Sequence, residues 1–412
     1  MRRTAIGIGC VGIFLASGVA HAQIPEGYEM VRLTGFGLYS RPDINNRGEV
    51  IWSYSEPPSV SDVYKFSGGI IRKLTDDTYY DIQPRINDHG DYAYLIAPDY
   101  FGDVDVAWNI GGQLTIHDAN NAPNAHPDIN NAGQIVWEDR FTEDASDERV
   151  FLFDGVTVQQ ITFNGVCNHS PRVNDCGEVV IDASDTTQSG NPSTILLFEN
   201  GILGALTDGE LRRSGPINNN SGQIVWHESN LNGLNDRIML WEQGVAMPLV
   251  EQDGVGGSSI NSNGDITYDA WNANLQAYDL WLYRSSDQSF LLLPNAGFSH
   301  DGWVGMNECG ELAWRASVPG GGPLTVLLMR RIAPKSDFNH DCWIDAYDFQ
   351  ILENCFTGPD AGPADGLLAD CTRADFDDDG DVDQADVIAF MAAVGGPAAP
   401  IPDCQAVELC GS

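Results

Sequence analysis

Pro127-Asp128-Ile129-Asn130-Asn131-Ala132-Gly133-Gln134-Ile135-Val136-Trp137 is one copy of a phrase that returns seven times along the chain. Each copy has an aliphatic residue, Asn, two or three variable residues, Gly and then a hydrophobic strand. The copies are Ile44-Asn45…Gly48, Ile86-Asn87…Gly90, Ile129-Asn130…Gly133, Val173-Asn174…Gly177, Ile217-Asn218…Gly222, Ile260-Asn261…Gly264 and Met306-Asn307…Gly310. Consecutive Asn residues lie 42, 43, 44, 44, 43 and 46 positions apart. Asn tolerates left-handed backbone and Gly supplies positive φ, so the phrase reads as a tight hairpin. A β-branched and aromatic strand follows it, as in Val50-Ile51-Trp52, Ile135-Val136-Trp137 and Ile224-Val225-Trp226.

Four strands fit each period. A short strand enters through Pro-x-Ile-Asn (Pro42, Pro84, Pro127, and Pro171 before Val173), and the hairpin leads to the second. A third follows a variable loop, such as Val150-Phe151-Leu152-Phe153, and a fourth ends in Leu-Thr or Ile-Thr (Leu74-Thr75, Ile161-Thr162, Leu206-Thr207). A period in the low forties with four short strands predicts an all-β fold, a seven-bladed β-propeller of four-stranded blades over residues 23–332. The last copy lacks its fourth strand, while Tyr28 to Thr34 is an unassigned strand ending Leu33-Thr34. Pairing the two would close the ring and remove two sheet edges.

Four residues after each Gly stand Trp52, Tyr94, Trp137, Ile181, Trp226, Tyr268 and Trp314. Large residues repeated at one blade position pack blade on blade, which is preferred here to a sugar-stacking series. The pattern resembles TolB-like propeller repeats, with Ile-Asn in place of Trp-Ser and Asn/Asp-x-Gly in place of the Asp-Gly turn. That resemblance spans about residues 24 to 332. It implies a propeller and leaves function open among binding scaffolds, peptidase-associated propellers and pectin-type lyases.

Residues 1–22 read as a signal peptide. Arg2 and Arg3 precede an apolar run from Ala5 to Val19, and Ala20-His21-Ala22 is a small-x-small cleavage site before Gln23. No later stretch approaches the roughly 18 apolar residues that span a bilayer. The expected location is extracellular or periplasmic. Eight cysteines remain after Cys10, an even number that suits an oxidising compartment. Local disulfide candidates are Cys167–Cys176, Cys355–Cys371 and Cys404–Cys410. A net charge of −38, with only three lysines, argues against nucleic acid and anionic membrane as partners.

Part of that charge is ordered. After a linker at 333–336, Asp337-x-Asn339-x-Asp341-x-Trp343-x-Asp345-x-x-Asp348 fits a twelve-residue calcium loop. Asp375-x-Asp377-x-Asp379-Gly380-Asp381-x-Asp383-x-x-Asp386 fits a second. Oxygen ligands at positions 1, 3, 5, 9 and 12, with the backbone carbonyl of Trp343 or Asp381 at position 7, wrap one hard cation each. The predicted cofactor is therefore Ca²⁺, two ions. Ile344 and Val382 at position 8 suit a β bridge between the loops, and apolar helical stretches follow each. Cys342 replaces the usual Gly at position 6 of the first loop. Asp at position 12, the pairing and the C-terminal placement resemble a type I dockerin over residues 337–396, followed by a tail at 397–412. The resemblance implies a small α-helical calcium module that docks to a cohesin-like partner protein. Ala346, Tyr347, Gln384 and Ala385 stand at its partner-contacting positions.

Familiar catalytic signatures are missing. His227-Glu228 opens like a zinc helix, but residue 231 is Leu. His126, His169 and His300 precede Asn anchors and are expected on one loop face, with Tyr79, Tyr80, Arg212 and Trp303 in equivalent loops. Asp76-Asp77, Asp103/Asp105 and Glu143/Asp144 read as solvated loop acids. No catalytic residue is assigned. The favoured expectation is a secreted, non-enzymatic binding protein with an unknown ligand on the propeller loop face. The alternative is a polysaccharide lyase or hydrolase carried by its dockerin.

Overall fold

A computed structural model describes residues 22, 24–56, 60–98, 104–117, 124–140, 148–163, 165–294, 299–317, 322–332, 336, 338, 346–356, 371–377 and 381–394. The predicted signal peptide up to His21, and Cys404 and Cys410, lie outside these residues. No helix among them is long and apolar enough to cross a membrane.

The hairpin phrase builds the strands as expected. In all seven copies the Gly has φ between +67° and +81°, which a side chain would strain. In one repeat Asn124–Ile129, Ile135–Arg140, Glu148–Phe153 and Val158–Gln160 form an antiparallel sheet in sequence order. Ile129 lies opposite Ile135, Trp137 opposite Phe151, and Phe151 opposite Gln160. The N-terminal strand Tyr28–Arg32 pairs antiparallel with Leu324–Arg331, Tyr28 opposite Arg331. The two ends of the propeller are thereby sewn into one sheet.

Seven separate sheets are expected, and five are found: three of four strands and two of eight. The larger sheets arise where neighbouring repeats touch at one bridging pair. Ser61 bridges Tyr80 in parallel, reinforced by the Ser61 hydroxyl donating to the Asp81 carbonyl at 3.0 Å. Tyr278 bridges His300 in the second case.

The residues four beyond each Gly are core. Trp52, Tyr94, Trp137, Ile181, Trp226, Tyr268 and Trp314 are all at most 5% exposed. Trp226 packs against Val180 and Ile195, and Trp52 against Ala313 and Val326, each from the preceding repeat in the circle. Burial of one such ring contributes on the order of 3 kcal/mol.

The anchoring asparagines meet around the axis. Each Oδ1 accepts from backbone N–H groups of its own hairpin, and each Nδ2 donates to the backbone carbonyl of the next anchor. The chain of donors runs Asn45 to Asn87 (2.9 Å), Asn130 (3.0 Å), Asn174 (2.9 Å), Asn219 (3.0 Å), Asn261 (2.7 Å) and Asn307 (3.4 Å). Asn307 then donates to Asn45 at 3.0 Å. The fifth member is Asn219, not Asn218. Asn218 ends the strand Arg212–Asn218, opposite Ile224, and its amide reaches the Glu178 carbonyl. With Asn219 as anchor every copy has two residues between Asn and Gly.

At the C-terminal end α1 (Ala346–Cys355), α2 (Cys371–Ala374) and α3 (Gln384–Val394) surround Phe338, Leu352, Val382 and Phe390. The Cys355–Cys371 disulfide forms as expected. Cys167–Cys176 does not. Cys167, at the start of its strand, is not in a disulfide, while Cys176 is disulfide-bonded and sits in the hairpin beyond the strand's far end. A strand rises about 3.3 Å per residue, so the two lie far beyond bonding reach.

Asn219→Ala removes donations from Ser221 and Gln223 N–H and bonds to Gln223 Oε1 and the Asn261 carbonyl. Its expected cost is about 3 kcal/mol in urea denaturation, against about 1 kcal/mol for Asn218→Ala. The reverse order would put Asn218 in the ring.

Candidate functional site

Three neighbouring first strands, Asn124–Ile129, Cys167–Val173 and Arg212–Asn218, are bulged at the same place. His126 (φ +49°), Ser170 (+51°) and Gly215 (+60°) adopt left-handed backbone there, each just before a proline. Bulges of this kind re-aim side chains, and left-handed backbone costs a non-glycine residue about 1 kcal/mol. The result is a pocket of about 300 Å³ lined by His126, His169, Ser170, Asp182, Arg212 and Ser214, among others.

Buried acids hold its histidines. Glu138, 3% exposed, bonds His126 Nδ1 at 2.8 Å, accepts from the Ser170 N–H and lies 4.0 Å from His169 Nδ1. Glu148, 2% exposed, pairs with His169 Nδ1 at 2.6 Å. Burial pushes the Glu138 carboxyl up, but His126 and His169 outweigh it and hold it at about 2. Burial alone would lower His169, yet Glu138 and Glu148 carry it to about 11. His169 thus stabilises the fold fully below its ordinary 6.5, and that contribution is lost towards pH 11. Glu138 contributes fully above its ordinary 4.5 and loses this as pH falls towards 2. At neutral pH both are charged.

Asp182 differs. Burial raises its carboxyl to about 6, opposed by the charge on His169. Its Oδ2 accepts from the Gly215 N–H at 3.3 Å. A group that exchanges a proton near neutral pH therefore shares the pocket with exposed Arg212 and with His169, whose charge Glu138 and Glu148 already offset. Arg213 is structural, 6% exposed and tied to Glu228 Oε2 at 2.7 Å and Asp208 Oδ1 at 3.0 Å. The arrangement can bind an anion and move one proton.

Sequence reasoning placed three histidines on one face, and the structure brings two of them together. His300 is 2% exposed and lies 3.7 Å from Asp269 in the preceding repeat. Arg212 reaches the pocket, Trp303 stands over a separate axial cavity, and Tyr79 is exposed. Tyr80 opens the strand Tyr80–Ile86. Asp76 is a surface partner of Lys73, and Asp77 caps the Tyr79 N–H. Asp105 begins the strand Asp105–Ile110, while Asp103, Glu143 and Asp144 lie outside the described residues. Glu138, Glu148 and Asp182 were missed. The available signal was an acid directly after a core residue, as in Trp137-Glu138 and Ile181-Asp182.

Glu148, Cys167 and His169 bring ligand atoms within 4.8 Å of one another. They suit a metal poorly, because the His169 nitrogen that would bind is already paired with Glu148 and charged. In the second calcium loop the carboxylates of Asp375, Asp377 and Asp386 approach within 4.8 Å, as do those of Asp381, Asp383 and Asp386. That all-oxygen donor set suits a hard cation. Asp386 Oδ1 accepts from the Phe376 N–H at 2.6 Å, and Asp348 Oδ1 accepts from the Phe338 N–H at 2.7 Å. Position 12 is thus held alike in both loops. Asp337, Asn339, Asp341, Trp343, Asp345 and Asp379 lie outside the described residues.

No protein-family model matches the chain, and no curated protein matches its sequence. Solved structures do match. The chain is similar to an oligogalacturonate lyase in complex with manganese, at 10% identity and TM-score 0.55, covering 77% of this chain and 96% of that one. It is similar to the β-propeller domain of the Trilobed protease from Pyrococcus furiosus, at 11% identity and TM-score 0.52, covering 73% and 99%. A puromycin-hydrolyzing peptidase from Mycobacterium tuberculosis matches at 10% identity and TM-score 0.54, covering 78% and 57%. The chain spans about half the length of the full peptidases it matches. Likeness at these identities is one of fold, an all-β propeller with four-stranded blades. These propellers come from enzymes, which overturns the expectation of a non-enzymatic scaffold.

Proposed function

We propose that the chain is a carbohydrate-active enzyme of the lyase type, acting on an acidic oligosaccharide at the pocket between His126 and Arg212. The observation that carries this reading is the meeting in one pocket of Asp182, raised to about 6, with exposed Arg212 and two histidines. β-Elimination from a uronate needs that base and cation. Arg212 offsets the substrate carboxylate and so acidifies the adjacent C–H. Asp182 takes that proton, the C–O bond to the leaving sugar breaks as a C=C bond forms, and His126 protonates the leaving oxygen. The oligogalacturonate lyase supports this choice over a peptidase, since the propeller match covers nearly all of that enzyme and only about half of the full peptidases.

The finer reading of the fold is a TolB-like ring of seven repeats, with each eight-stranded sheet counted as two blades touching at one bridge. The closed circle of seven asparagines supports it. The C-terminal pair is read as a dockerin-like module that binds two Ca²⁺ and docks to a cohesin-like partner outside the cell. The apposed carboxylates of the second loop support the cation. Ile388 and Met391, exposed at 62% and 51% on one side of α3, offer the docking face.

Incubation with polygalacturonate and other acidic polysaccharides should release unsaturated ends, read by ultraviolet absorbance, while a neutral glucan gives none. Asp182→Asn should lower kcat by on the order of 10²–10⁴-fold. In the wild type kcat/KM should rise with pH through about 6, as Asp182 ionises. Reducing ends without unsaturation would favour a hydrolase, and no release at all would sink both.

Calcium titration of the full chain should show binding and a second, chelator-sensitive melting transition. Asp386→Ala should abolish the response of the second loop, because coordination and folding are coupled there. A melting curve indifferent to chelation would end the calcium reading.

A further inference from the structure

The residue two positions before each anchor Asn, the x of Pro-x-Ile-Asn in the first four repeats, changes from repeat to repeat. It is Asp43, Arg85, Asp128 and Arg172 in the first four, then Ile217, Ser259 and Gly305. All seven line one cavity of about 140 Å³ on the propeller axis. One half of its wall therefore alternates in charge, and the other half is uncharged.

Within the charged half each carboxylate is engaged. Asp43 Oδ2 accepts from the Ile86 N–H at 3.1 Å, and Asp128 Oδ2 from the Val173 N–H at 3.0 Å. Arg85 sits between them, 3.8 Å from Asp43 and 4.0 Å from Asp128. Arg172 is the member left over. The next wall position, where alternation would supply an Asp, is Ile217. Arg172 is 6% exposed, its Nη1 reaches only the Pro171 carbonyl at 3.3 Å, and its Nη2 is buried without a hydrogen-bond partner. Burial and the charge on Arg85 draw its pKa down to about 10, which still leaves it a cation at neutral pH. Asp128, Asp43 and Glu138 favour its charge from a distance, but none of them hydrogen-bonds Nη2, and a buried donor left unmet is costly. Trp303 lies under the guanidinium at 4.4 Å, with Arg85 at 5.4 Å and Arg41 at 5.8 Å over the same ring. Three arginines thus converge on one indole in a chain of net charge −38.

We propose that this axial cavity is a binding site for a small carboxylate, received by Arg172 Nη2 with Arg85 beside it. A planar carboxylate matches the guanidinium fork and supplies the partner that Ile217 withholds. The volume admits about five water-sized groups at ~30 Å³ each, which suits an acetate- to lactate-sized acid. The site is distinct from the His126 pocket and stands whether or not that pocket is catalytic. The ligand is either a free small acid or the acid end of a longer chain, and the two share this chemistry.

Calorimetric titration of the full-length protein at constant ionic strength tests this, using acetate, lactate, galacturonate, chloride and sulfate as probes. Saturable binding of acetate or lactate is expected, at least tenfold tighter than chloride or sulfate. Galacturonate binding as well as acetate would point to an acid end as the source, and its exclusion to a free small acid. Arg172→Met should weaken carboxylate binding at least tenfold without loss of the β-sheet circular dichroism. Ile217→Asp supplies an internal carboxylate, so it should abolish binding of added acid and raise Tm in its absence. If Arg172→Met does not fold, Ile217→Asp decides. No saturable binding, equal binding of chloride, or unchanged affinity in both variants would overturn the assignment.

Discussion

The rest of the propeller hangs on the circle of seven buried carboxamides. Each Asn does two jobs with one planar group. Its oxygen holds its own hairpin shut, as Asn45 Oδ1 does by accepting from the Arg47 and Glu49 N–H groups. Its nitrogen donates to the backbone of the next hairpin, so local turn geometry and the spacing of repeats are set by the same atoms. No other side chain combines an acceptor and a two-hydrogen donor at this reach except Gln, whose extra methylene would displace both. Because the circle closes from Asn307 to Asn45, an error in one repeat is felt by its neighbours.

A second circle lies one residue further on. Asn46 donates to Asp88, Asn131 donates to both Asp88 and Asp175, and Asn220 donates to Asp175. On the other side Glu308 accepts from Ser262 and donates its backbone N–H to Asn46. From Asn46 to Asn220 amides alternate with acids, so Asp88 and Asp175 each have donors on both sides, while the Glu308 carboxylate accepts from Ser262. Glu308 carries the strain of that economy. Burial pushes its carboxyl up despite the bonds from Ser262, and the charges of Asp88 and Asp175 push the same way.

Much of this was legible in the sequence, because the residues that build a hairpin or fill a core are chemically restricted. Gly at positive φ, the aromatic four positions later and the terminal strand at Tyr28 all carry a single reading. The fifth anchor was not legible, since Asn218, Asn219 and Asn220 are consecutive and only hydrogen-bond register separates them. The sheet count failed for a related reason: one bridging pair, such as Ser61 with Tyr80, merges two sheets without any sequence mark. The pocket acids were hidden by composition. In a chain this acidic, Glu138 and Asp182 look like further surface charge unless their place beside the core residue is weighed against it.

That division also explains where chemistry can reside in such a ring. Residues at the anchor and the core position are fixed by neighbours on both sides, so they cannot vary without loss of closure. The position two before each anchor Asn and the position after the core residue face the axis or the loop side, where acids such as Asp43, Asp128, Glu138 and Asp182 also bond the next repeat's backbone. Both positions carry charge in this chain, and the charge is unevenly spread. The repeats around Asn130 and Asn174 hold Asp128, Arg172, Glu138, Asp182 and the pocket histidines His126 and His169. The repeats around Asn219 and Asn307 place Ile217 and Gly305 at the same wall. A ring built from equal parts thus gathers its buried charge on one side, and the asymmetry arises outside the anchor and core positions.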